Sequence, residues 1–527
     1  MSNLGTIKAQ IQELLDSANA VTGNEDTNLT DGVNSLIEGY GGVKLDIPSY
    51  HYDEVGRVIG KIVELKQTRP NHIVFGTISD NHVDLTNENV INSVEHAAFG
   101  LEKVGLYAHC DFIANLGDNI VGTNIDNDTD LANAKYMEKL TKYDTNIVPF
   151  FNLVGNHCKT NLTQKLYNMV GKYNSFDSYG DTQIRGYGYK DFTDKKVRVI
   201  CLNTCDYWNI QGGNGMSYEQ KDYFMRWLDL SGKADASSWT IVVLSHIPLD
   251  FLGGDYNKGA DLKAILKAYN DGTTATITVN STYANSQNEA SKYSGTLTYN
   301  YSGKNKAKVI NIHGHVHTNT YKKLKFIDDG TELDMIVRMA TPNSNFNQNA
   351  STNRYTEYGD YSITSAEASK IAKVSGCAKD TSATFYFIDL DKQVIYSIGY
   401  GADIDRTLIY SDATIFNVSY NLTNVKSSNT STGAIEGEPY STTLTVSDSD
   451  YSLDSVTVTM GGTNITSTAY SDGVITIANV TGDIAITATA KDNYVPVWDI
   501  VNRTAVNNVY EMANVAHACV CVVERII

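Results

Sequence analysis

Aspartate, asparagine and histidine recur directly after apolar segments that are typical of buried strands. The first such segment, residues 73–78, is followed by Asp80 and His82. Four later segments are followed by Gly117-Asp118-Asn119, Gly155-Asn156-His157, Ser245-His246 and His313-Gly314-His315-Val316-His317. Carboxylate, amide and imidazole groups are ligands for divalent cations of borderline hardness. One such residue is more often a turn cap or a buried histidine, but five blocks in succession favour a shared metal site.

Strands alternate with helices along the central part of the chain. Apolar residues at helical spacing predict helices over about 50–66, 90–104, 132–143 and 218–230. Apolar runs predict strands over residues 73–78, 112–116, 146–154, 197–202, 240–244, 308–312, 385–390 and 394–397. Strand-helix-strand units predict parallel pairing with right-handed crossovers. The carboxyl ends of parallel strands meet at one edge of a sheet, so we expect the five ligand-bearing ends to converge there.

The overall composition restricts the classes of function. The chain has 527 residues and a net charge of −18, and this acidic balance disfavours extensive nucleic-acid binding. Its 7 cysteines are odd in number and irregularly spaced, which favours neither a disulfide framework nor a Cys-x-x-Cys zinc site. The start of the chain does not have the basic and apolar regions of a signal peptide. No apolar run approaches the ~18 residues that cross a bilayer, so we expect cytoplasmic synthesis of a soluble protein and no membrane insertion.

Shifts in composition predict four regions. Residues 1–43 are expected to form an attachment module of two short helices, which would dock on a partner chain, self-associate or pack on their own chain. Residues 44–410 carry the candidate ligands and are interrupted by a polar insertion at about 251–306 that contains a predicted hairpin. Short β-patterns over 411–490 predict an antiparallel sandwich of immunoglobulin-like size. The apolar end of the tail, 491–527, is expected to pack against another surface.

The five blocks resemble the motifs of the calcineurin-like metallophosphoesterases, which are D-x-H, G-D-x-x, G-N-H-[DE], a single H after a strand, and G-H-x-H. In this chain they are Asp80-Asn81-His82, Gly117-Asp118-Asn119-Ile120, Gly155-Asn156-His157-Cys158, His246 and Gly314-His315-Val316-His317. The resemblance covers about residues 50–410. It implies an α/β fold with a four-layer α/β/β/α sandwich, here preceded by the helical module and followed by the immunoglobulin-like domain.

By this resemblance the site holds two divalent metal ions, either Mn, Fe or Zn. The implied ligands are Asp80, His82 and His317 for one ion, Asn156, His246 and His315 for the other, and Asp118 as the bridge. His157 would not bind metal, but would donate a hydrogen bond or a proton to the phosphate or the leaving oxygen. The implied activity is hydrolysis of phosphate mono- or diesters by a metal-activated hydroxide, with Asp118 and His157 as the catalytic residues.

One residue departs from the family pattern. Cys158 follows His157 where the family usually has Asp or Glu, so the acid that would orient the imidazole is replaced. Orientation would then fall to another acid, and Asp84 and Asp126 lie in nearby loops. Cys158 is not expected to act as a nucleophile, because the sequence identifies no partner that would activate its thiol.

The flanking regions have a second resemblance, to tail-associated proteins of phages that infect Gram-positive gut bacteria. It implies a virion enzyme that acts on a phosphodiester of a host cell-surface glycopolymer, such as teichoic acid or a phosphorylated polysaccharide. Other virion proteins would be partners of the N-terminal module. The alternative is a virion structural or adhesion protein that uses a degenerate phosphoesterase domain for binding. A nuclease shares the metal chemistry, but the acidic balance disfavours it.

Overall fold

The structure is a computed structural model. The residues it describes are 47–122, 127–143, 145–158, 174–180, 186–205, 215–233, 235–249, 258–279, 295–317, 321–325, 332–340, 344, 372–410, 414–429, 431 and 433–493. The predicted N-terminal module, Asp126 and all but the first three residues of the predicted tail lie outside these residues.

The chain divides into two compact units. The first extends to Asn417 and includes Thr430–Glu436, and the second comprises Val418–Asn429 and the residues from Gly437 onward. The candidate metal ligands all belong to the first unit. The domain boundaries given by the sequence stay predictions.

Six α-helices lie in the described residues. They are α1 (Ser49–Thr68), α2 (Glu88–Tyr107), α3 (Asn127–Leu140), α4 (Tyr218–Leu228), α5 (Lys258–Asp271) and α6 (Thr466–Ala469). In α1, Val55, Val58 and Ile62 are buried, and their spacing of three or four residues places them on one face. Helix α2 begins after Asn87, whose side chain accepts a hydrogen bond from the backbone N–H of Val90 and so satisfies a donor of the first turn. The four predicted helices correspond to α1–α4 and are confirmed, with shifted ends.

The first sheet of the first unit has six strands. They are β1 (His72–Ile78), β2 (Phe112–Asn115), β3 (Phe150–Asn152), β13 (Ser382–Asp389), β14 (Val394–Gly401) and β15 (Arg406–Ile409). Their order is β15-β14-β13-β1-β2-β3. The strands β1, β2 and β3 are parallel, whereas β13 pairs with β1 in the antiparallel sense. The predicted parallel unit is therefore confirmed for β1–β3, within a mixed sheet.

The second sheet of the first unit has seven strands. They are β4 (Ser178–Tyr179), β5 (Gly188–Phe192), β6 (Val197–Leu202), β7 (Thr240–Ser245), β10 (Lys308–His313), β11 (Tyr321–Lys325) and β12 (Glu332–Ala340). Their order is β11-β12-β10-β7-β6-β5-β4. The central strands β12, β10, β7 and β6 are parallel neighbours. The ligand-bearing ends therefore come from two sheets, β1 to β3 in one and β7 and β10 in the other, which corrects the expectation of a single sheet edge.

Three large apolar cores lie in the described residues of the first unit. In β1, Ile73 and Phe75 belong to a core shared with β6, β7 and β10 of the second sheet. Val74 and Ile78 point the other way and pack with α1 and α2, because side chains alternate along a strand. A third core joins the outer face of the second sheet to α4 and α5. Each fully buried large apolar side chain contributes about 1.5–3 kcal/mol, so these cores fix the positions of the strand ends.

Several elements differ from the sequence prediction. The hairpin of the predicted insertion is present as β8 (Thr274–Val279) paired with β9 (Gly295–Asn300). Helix α5 precedes it and was not predicted, because polar residues dominate the composition of that region. Leu262 and Ile265 of α5 are nevertheless buried in the core with α4. Strands β5, β11 and β12 were also missed, because charged residues interrupt their apolar runs.

In the described residues of the second unit, every element is a β-strand apart from the short helix α6. Its strands, together with the end of the first unit, are β16 (Ile415–Thr423), β17 (Val425–Ser427), β18 (Gly433–Ile435), β19 (Tyr440–Val446), β20 (Tyr451–Met460), β21 (Thr463–Asn464), β22 (Tyr470–Ser471), β23 (Val474–Ile477) and β24 (Ile484–Asp492). One sheet contains β16, β24, β20 and β21, and another has the order β17-β19-β23-β22. The pair β16–β24 is parallel, which corrects the expectation of purely antiparallel pairing.

Within the described residues, no helix combines the length and the apolar character needed to cross a membrane.

Candidate metal centre

Tight turns at the strand ends bring the candidate ligands together. The backbone N–H of Asp80 donates to the carbonyl of Gly117, and that of His82 donates to the carbonyl of Asp118, so the turns after β1 and β2 lie side by side. In the second sheet, the N–H of Gly314 donates to the carbonyl of His246 in the same way. These backbone hydrogen bonds fix the turns before any ligand is considered.

Five of the candidate ligands adopt left-handed backbone conformations. Their φ angles are +52° at Asp80, +45° at His82, +51° at Asp118, +69° at His315 and +58° at His317. A residue with a Cβ carries a cost on the order of 1 kcal/mol in this region. Such conformations persist where the surrounding structure enforces them, and they cluster at functional sites. Here they turn successive side chains toward one point.

One group of ligands surrounds Asp80. Its Oδ2 accepts hydrogen bonds from Ser79 Oγ at 2.6 Å and from the backbone N–H of His315 at 2.9 Å. The other oxygen, Oδ1, faces His317 Nε2 at 3.1 Å. His82 Nε2 lies 3.3 Å from His317 Nε2. Asp80, His82, His317 and Asp118 therefore present ligand atoms that all lie within 4.8 Å of one another.

A second group shares Asp118 with the first. Asp118 Oδ1 accepts a hydrogen bond from the backbone N–H of His157 at 2.7 Å. Its Oδ2 lies 3.2 Å from His246 Nε2 and 3.7 Å from His82 Nε2, and so stands between the two groups. His246 Nε2 is also 3.0 Å from Asn156 Oδ1. Asp118, His246 and His315 present ligand atoms within 4.8 Å of one another.

The protonation states of these residues suit cation binding. His317 and His246 hold the pKa values of Asp80 and Asp118, respectively, below their usual range, against the effect of burial. Burial lowers the pKa of His82 to about 4 and that of His315 to about 3. Both carboxylates are thus ionised and both imidazoles neutral at pH 7, as metal ligands must be.

His246 is the exception among the histidines. Burial opposes its protonation, but Asp118 outweighs burial and raises the pKa of His246 to about 9. Its Nδ1 lies 2.9 Å from the carbonyl oxygen of Leu116 and donates to it, which fixes the ring and directs Nε2 at Asp118. A cation bound at Nε2 has to displace a proton from that atom.

His157 lies beside the two groups, in a 3-10 turn over Asn156–Cys158. Its ring centroid is 4.5 Å from that of His82, with the two planes nearly perpendicular at 87°. His157 Nδ1 is 2.7 Å from the carbonyl oxygen of Val121, which can only accept, so Nδ1 carries the proton. A backbone carbonyl therefore orients the imidazole through Nδ1.

Two glycines allow this close packing. Gly122 has a φ of +61°, and a Cβ at this position would lie 1.9 Å from the carbonyl oxygen of His157. A Cβ at Gly155 would lie 2.1 Å from Asp118 Oδ1. Any larger residue at either position would displace His157 or Asp118.

Cys158 does not take the place of an orienting acid. Its thiol is 2% exposed and accepts a hydrogen bond at 3.3 Å from the backbone N–H of Asn119. Burial raises the pKa of Cys158 to about 11. Asp84 accepts hydrogen bonds from Thr86 and closes its own turn. The structure thus gives Cys158 a packing role beneath the turn that contains Asp118.

The sequence did not predict several residues that hold the candidate ligands and His157 in place. Ser344 is fully buried, its N–H donates to the carbonyl of Ser79 at 2.9 Å, and its hydroxyl donates to Asn81 Oδ1 at 2.6 Å. Val121 acts through its backbone, so its side chain gives no sequence signal. Ser79 is adjacent to Asp80 and could have been found as a neighbour able to donate to that carboxylate.

The donor set fits a pair of divalent cations. Each group combines imidazole nitrogen with carboxylate oxygen, and Asn156 adds an amide oxygen, as suits Mn, Fe or Zn. Asp118 belongs to both groups, and its Oδ2 lies between them. The structure therefore brings together every predicted ligand and places His157 at their edge, whereas their roles as ligands stay predictions.

Comparisons with known proteins add little to this geometry. No family model matches the chain. No curated protein matches it either. One solved structure that matches is described as a dimetal phosphatase from Danio rerio. It is 12% identical, with a TM-score of 0.37, over 64% of this chain and 99% of that chain. A likeness at this level decides neither fold nor function.

Proposed function

We propose that this chain is a dinuclear metal-dependent phosphoesterase of the calcineurin-like type. The observation that carries the proposal is the shared carboxylate, since Asp118 Oδ2 lies between His82 Nε2 at 3.7 Å and His246 Nε2 at 3.2 Å. An anionic oxygen between two sets of borderline ligands is the arrangement expected for two adjacent divalent cations. The three cores, two between a sheet and its helices and one between the sheets, support the four-layer arrangement of such a fold.

The protein residues have separable roles. When bound, two divalent cations would supply Lewis acidity to a phosphate ester and would lower the pKa of a water molecule. Asp80, His82 and His317 would hold one cation, and Asn156, His246 and His315 the other. Asp118 would hold both and keep their separation fixed. The hydrogen bonds to Asp80 Oδ2 and Asp118 Oδ1 orient these carboxylates in advance, which reduces the cost of assembling the site.

His157 would act on the substrate directly. Its Nδ1 donates to the Val121 carbonyl, and in the protonated ring Nε2 is a second donor. That donor would stabilise charge on a phosphoryl oxygen or protonate the leaving oxygen. Its partial exposure leaves it accessible to a ligand. The backbone carbonyl holds the ring without adding a charge, so the absence of an acid at position 158 does not prevent this role.

The substrate beyond a phosphate ester rests on the sequence alone. The phage-tail setting and a host-surface glycopolymer as substrate come from the flanking resemblance, whose N-terminal part lies outside the described residues. A non-catalytic adhesion role would need no oriented proton donor. The held Nδ1 of His157 favours the enzyme over that alternative.

The test is a metal-dependent assay with the full chain. The protein is stripped with a chelator, reloaded with Mn²⁺, Zn²⁺ or Fe²⁺, and assayed with an aryl phosphate monoester and diester. We expect turnover that requires a reloaded metal. Asp118→Asn should lower kcat/KM by at least about 10³-fold, since a lost bridging charge is worth several kcal/mol of transition-state stabilisation.

Asp235→Asn is the matched control. The Asp235 side chain is 75% exposed, and its ion pair is with Lys196, which is not a candidate metal ligand. It should keep the activity of the unchanged protein. Absence of turnover with every metal and both esters, despite bound metal, would refute the enzyme proposal and favour the adhesion alternative. Activity of Asp118→Asn equal to that of Asp235→Asn would refute the assigned site.

A further inference from the structure

A second buried group of imidazoles and a carboxylate lies away from the strand ends. It consists of His51 at the start of α1, His96 in α2 and Asp380 directly before β13. These residues are 0%, 5% and 7% exposed, respectively. They come from three distant parts of the sequence, and their ligand atoms lie within 4.8 Å of one another. We call them the helix-face cluster.

Both histidines converge on the same carboxylate. His51 Nε2 lies 3.1 Å from Asp380 Oδ1, and His96 Nδ1 lies 3.1 Å from Asp380 Oδ2. The two rings are 4.2 Å apart between centroids. Each imidazole faces a different oxygen of the same carboxylate, so three side chains present one ligand atom each within 4.8 Å of one another.

These separations match those between neighbouring ligands of zinc. Zn–N and Zn–O bonds of about 2.0–2.1 Å at tetrahedral angles place adjacent ligand atoms roughly 3.3 Å apart. Two imidazoles with a carboxylate are a donor set that zinc accepts. The same 3.1 Å distances also suit hydrogen bonds from neutral imidazoles to an ionised carboxylate. The experiment therefore has to separate a metal from a hydrogen-bonded cluster.

Outer contacts hold the cluster in the way that metal ligands are held. His51 Nδ1 is 2.8 Å from the Tyr400 hydroxyl, so Nε2 is directed at Asp380. The Tyr50 hydroxyl donates to Asp380 Oδ2 at 3.2 Å. Tyr400 can approach α2 because residue 100 is glycine, where a Cβ would lie 2.5 Å from the tyrosine ring. The side chains are thus fixed before a cation binds.

The cluster is also connected to the support of the candidate metal centre. Ser93 Oγ lies 2.7 Å from the carbonyl oxygen of Asp380 and within hydrogen-bonding distance of the carbonyl of Ser344. Thr381 Oγ1 donates to the same Ser344 carbonyl at 3.0 Å. Ser344 in turn donates to Asn81, between Asp80 and His82. Fixing Asp380 therefore also fixes the segment that supports the turn after β1.

We propose that His51, His96 and Asp380 form a third metal site, separate from the candidate dinuclear centre, that binds one structural Zn²⁺ and ties α1, α2 and the start of β13 together. One charged residue works against it. Lys373 interacts electrostatically with Asp380, and in its protonated form it would compete with a cation for that carboxylate. Its removal should strengthen zinc binding.

The test compares zinc content in variants of the full chain. His51→Gln and His96→Asn keep an N–H near the position of the original nitrogen, so each can still donate to Asp380, but an amide nitrogen does not bind zinc as an imidazole nitrogen does. His109→Asn is the control, because His109 is exposed and its φ of +50° suits asparagine. Each protein is stripped, equilibrated with a zinc buffer and measured by elemental analysis and by thermal unfolding with and without zinc.

The unchanged protein and His109→Asn should hold one zinc equivalent more than His51→Gln and His96→Asn. Zinc affinity at this site should fall by more than about 100-fold in those two variants, since loss of an outer partner alone costs 10–100-fold. The zinc-dependent rise in Tm should shrink with it. The difference of one equivalent does not depend on whether the dinuclear centre binds metal or hydrolyses a substrate.

Lys373→Met tests the proposal in the opposite direction, because this change should raise zinc affinity and the histidine changes should lower it. It should raise zinc affinity at the third site, a gain that a misfolded variant would not show. Equal zinc content in the unchanged protein, His51→Gln and His96→Asn would identify a hydrogen-bonded cluster only and would overturn the proposal. Unchanged zinc affinity in Lys373→Met would contradict the assignment of Asp380 as a ligand.

Discussion

His246 of the candidate dinuclear centre and His51 of the helix-face cluster are held in nearly the same way. Both side chains are 0% exposed. Their Nε2 atoms lie 3.2 Å and 3.1 Å from a carboxylate oxygen, of Asp118 and Asp380 respectively. Their Nδ1 atoms lie 2.9 Å and 2.8 Å from a fixed oxygen partner. Local geometry alone therefore does not distinguish a reactive site from a structural one.

The difference lies in the backbone that carries each cluster. The candidate dinuclear centre lies at strand ends, and five of its candidate ligands have positive φ angles between +45° and +69°. His51 and His96 lie within α1 and α2, where the backbone is regular. Strained turns can aim several side chains at one accessible point, whereas helix faces bury theirs between packed elements. We infer reactivity at the first cluster and a structural role for the second.

The largest expected effect compares the two histidines directly. His246→Gln should lower kcat/KM for an aryl phosphate by about 10³-fold or more, because it removes a ligand of the dinuclear centre. His51→Gln should keep kcat/KM within about threefold, because His51 lies outside the candidate dinuclear centre and is connected to it only through the contacts of Asp380 and Ser344. The measurement is steady-state kinetics at saturating Mn²⁺. Comparable losses of kcat/KM in both variants would contradict the inference that one cluster is reactive and the other structural.

A smaller effect is expected when the proton donor is removed. His157→Asn keeps a side-chain N–H that can reach the Val121 carbonyl, but it lacks the counterpart of Nε2. We expect kcat to fall by about 10²–10⁴-fold, as for loss of a general acid, with metal content unchanged. Elemental analysis beside the kinetics checks this. Loss of bound metal in His157→Asn would instead show that His157 supports a ligand and does not act on the substrate.

The sequence predicts the first cluster and misses the second for a physical reason. Asp80 with His82, and His315 with His317, lie two residues apart because a single tight turn must aim both side chains at the candidate dinuclear centre. Such spacing leaves a short motif. His51 and Asp380 are 329 residues apart, and each lies in an ordinary helix or turn, so no local pattern marks their contact. The sequence also does not predict that the Val121 carbonyl holds His157, because every residue has a backbone carbonyl.

The same reasoning explains which parts of the fold could be predicted. The strands over residues 197–202 and 240–245 are mostly apolar, with Arg198 as their one charged residue, and the predicted ends lie within one residue of the observed ends. The division of the parallel strands between two sheets depends on long-range packing of alternating faces, which the order of elements does not encode. Strand β12 pairs beside β10 despite the charged residues Glu332 and Asp334, because tertiary pairing overrides local composition.

Two glycine substitutions test the contrast in backbone strain. Gly122→Ala should destabilise the protein by about 1–3 kcal/mol, because φ is +61° and the new Cβ would lie 1.9 Å from the His157 carbonyl oxygen. It should also lower kcat about tenfold by displacing His157.

In α1, a Cβ at Gly56 meets nothing within 4 Å, so Gly56→Ala should stabilise the protein by about 0.5–1 kcal/mol. Urea unfolding curves measure both. A neutral Gly122→Ala would show that the turn is not constrained.

The smallest effect is expected at the two thiols beside the clusters. Cys158 follows His157 and is 2% exposed, with a pKa raised to about 11 by burial, whereas Cys377 precedes Asp380 by three residues and is partly exposed. Iodoacetamide at pH 8 should therefore label Cys377 and leave Cys158 unmodified. Peptide mass spectrometry measures the alkylation of each cysteine. Cys158→Ala should keep kcat/KM within about twofold, because the thiol contacts Asn119 and not the ring of His157. If Cys158 were labelled at the rate of Cys377, or if Cys158→Ala were inactive, the thiol would belong to the reactive cluster and the carbonyl of Val121 would not suffice to hold His157.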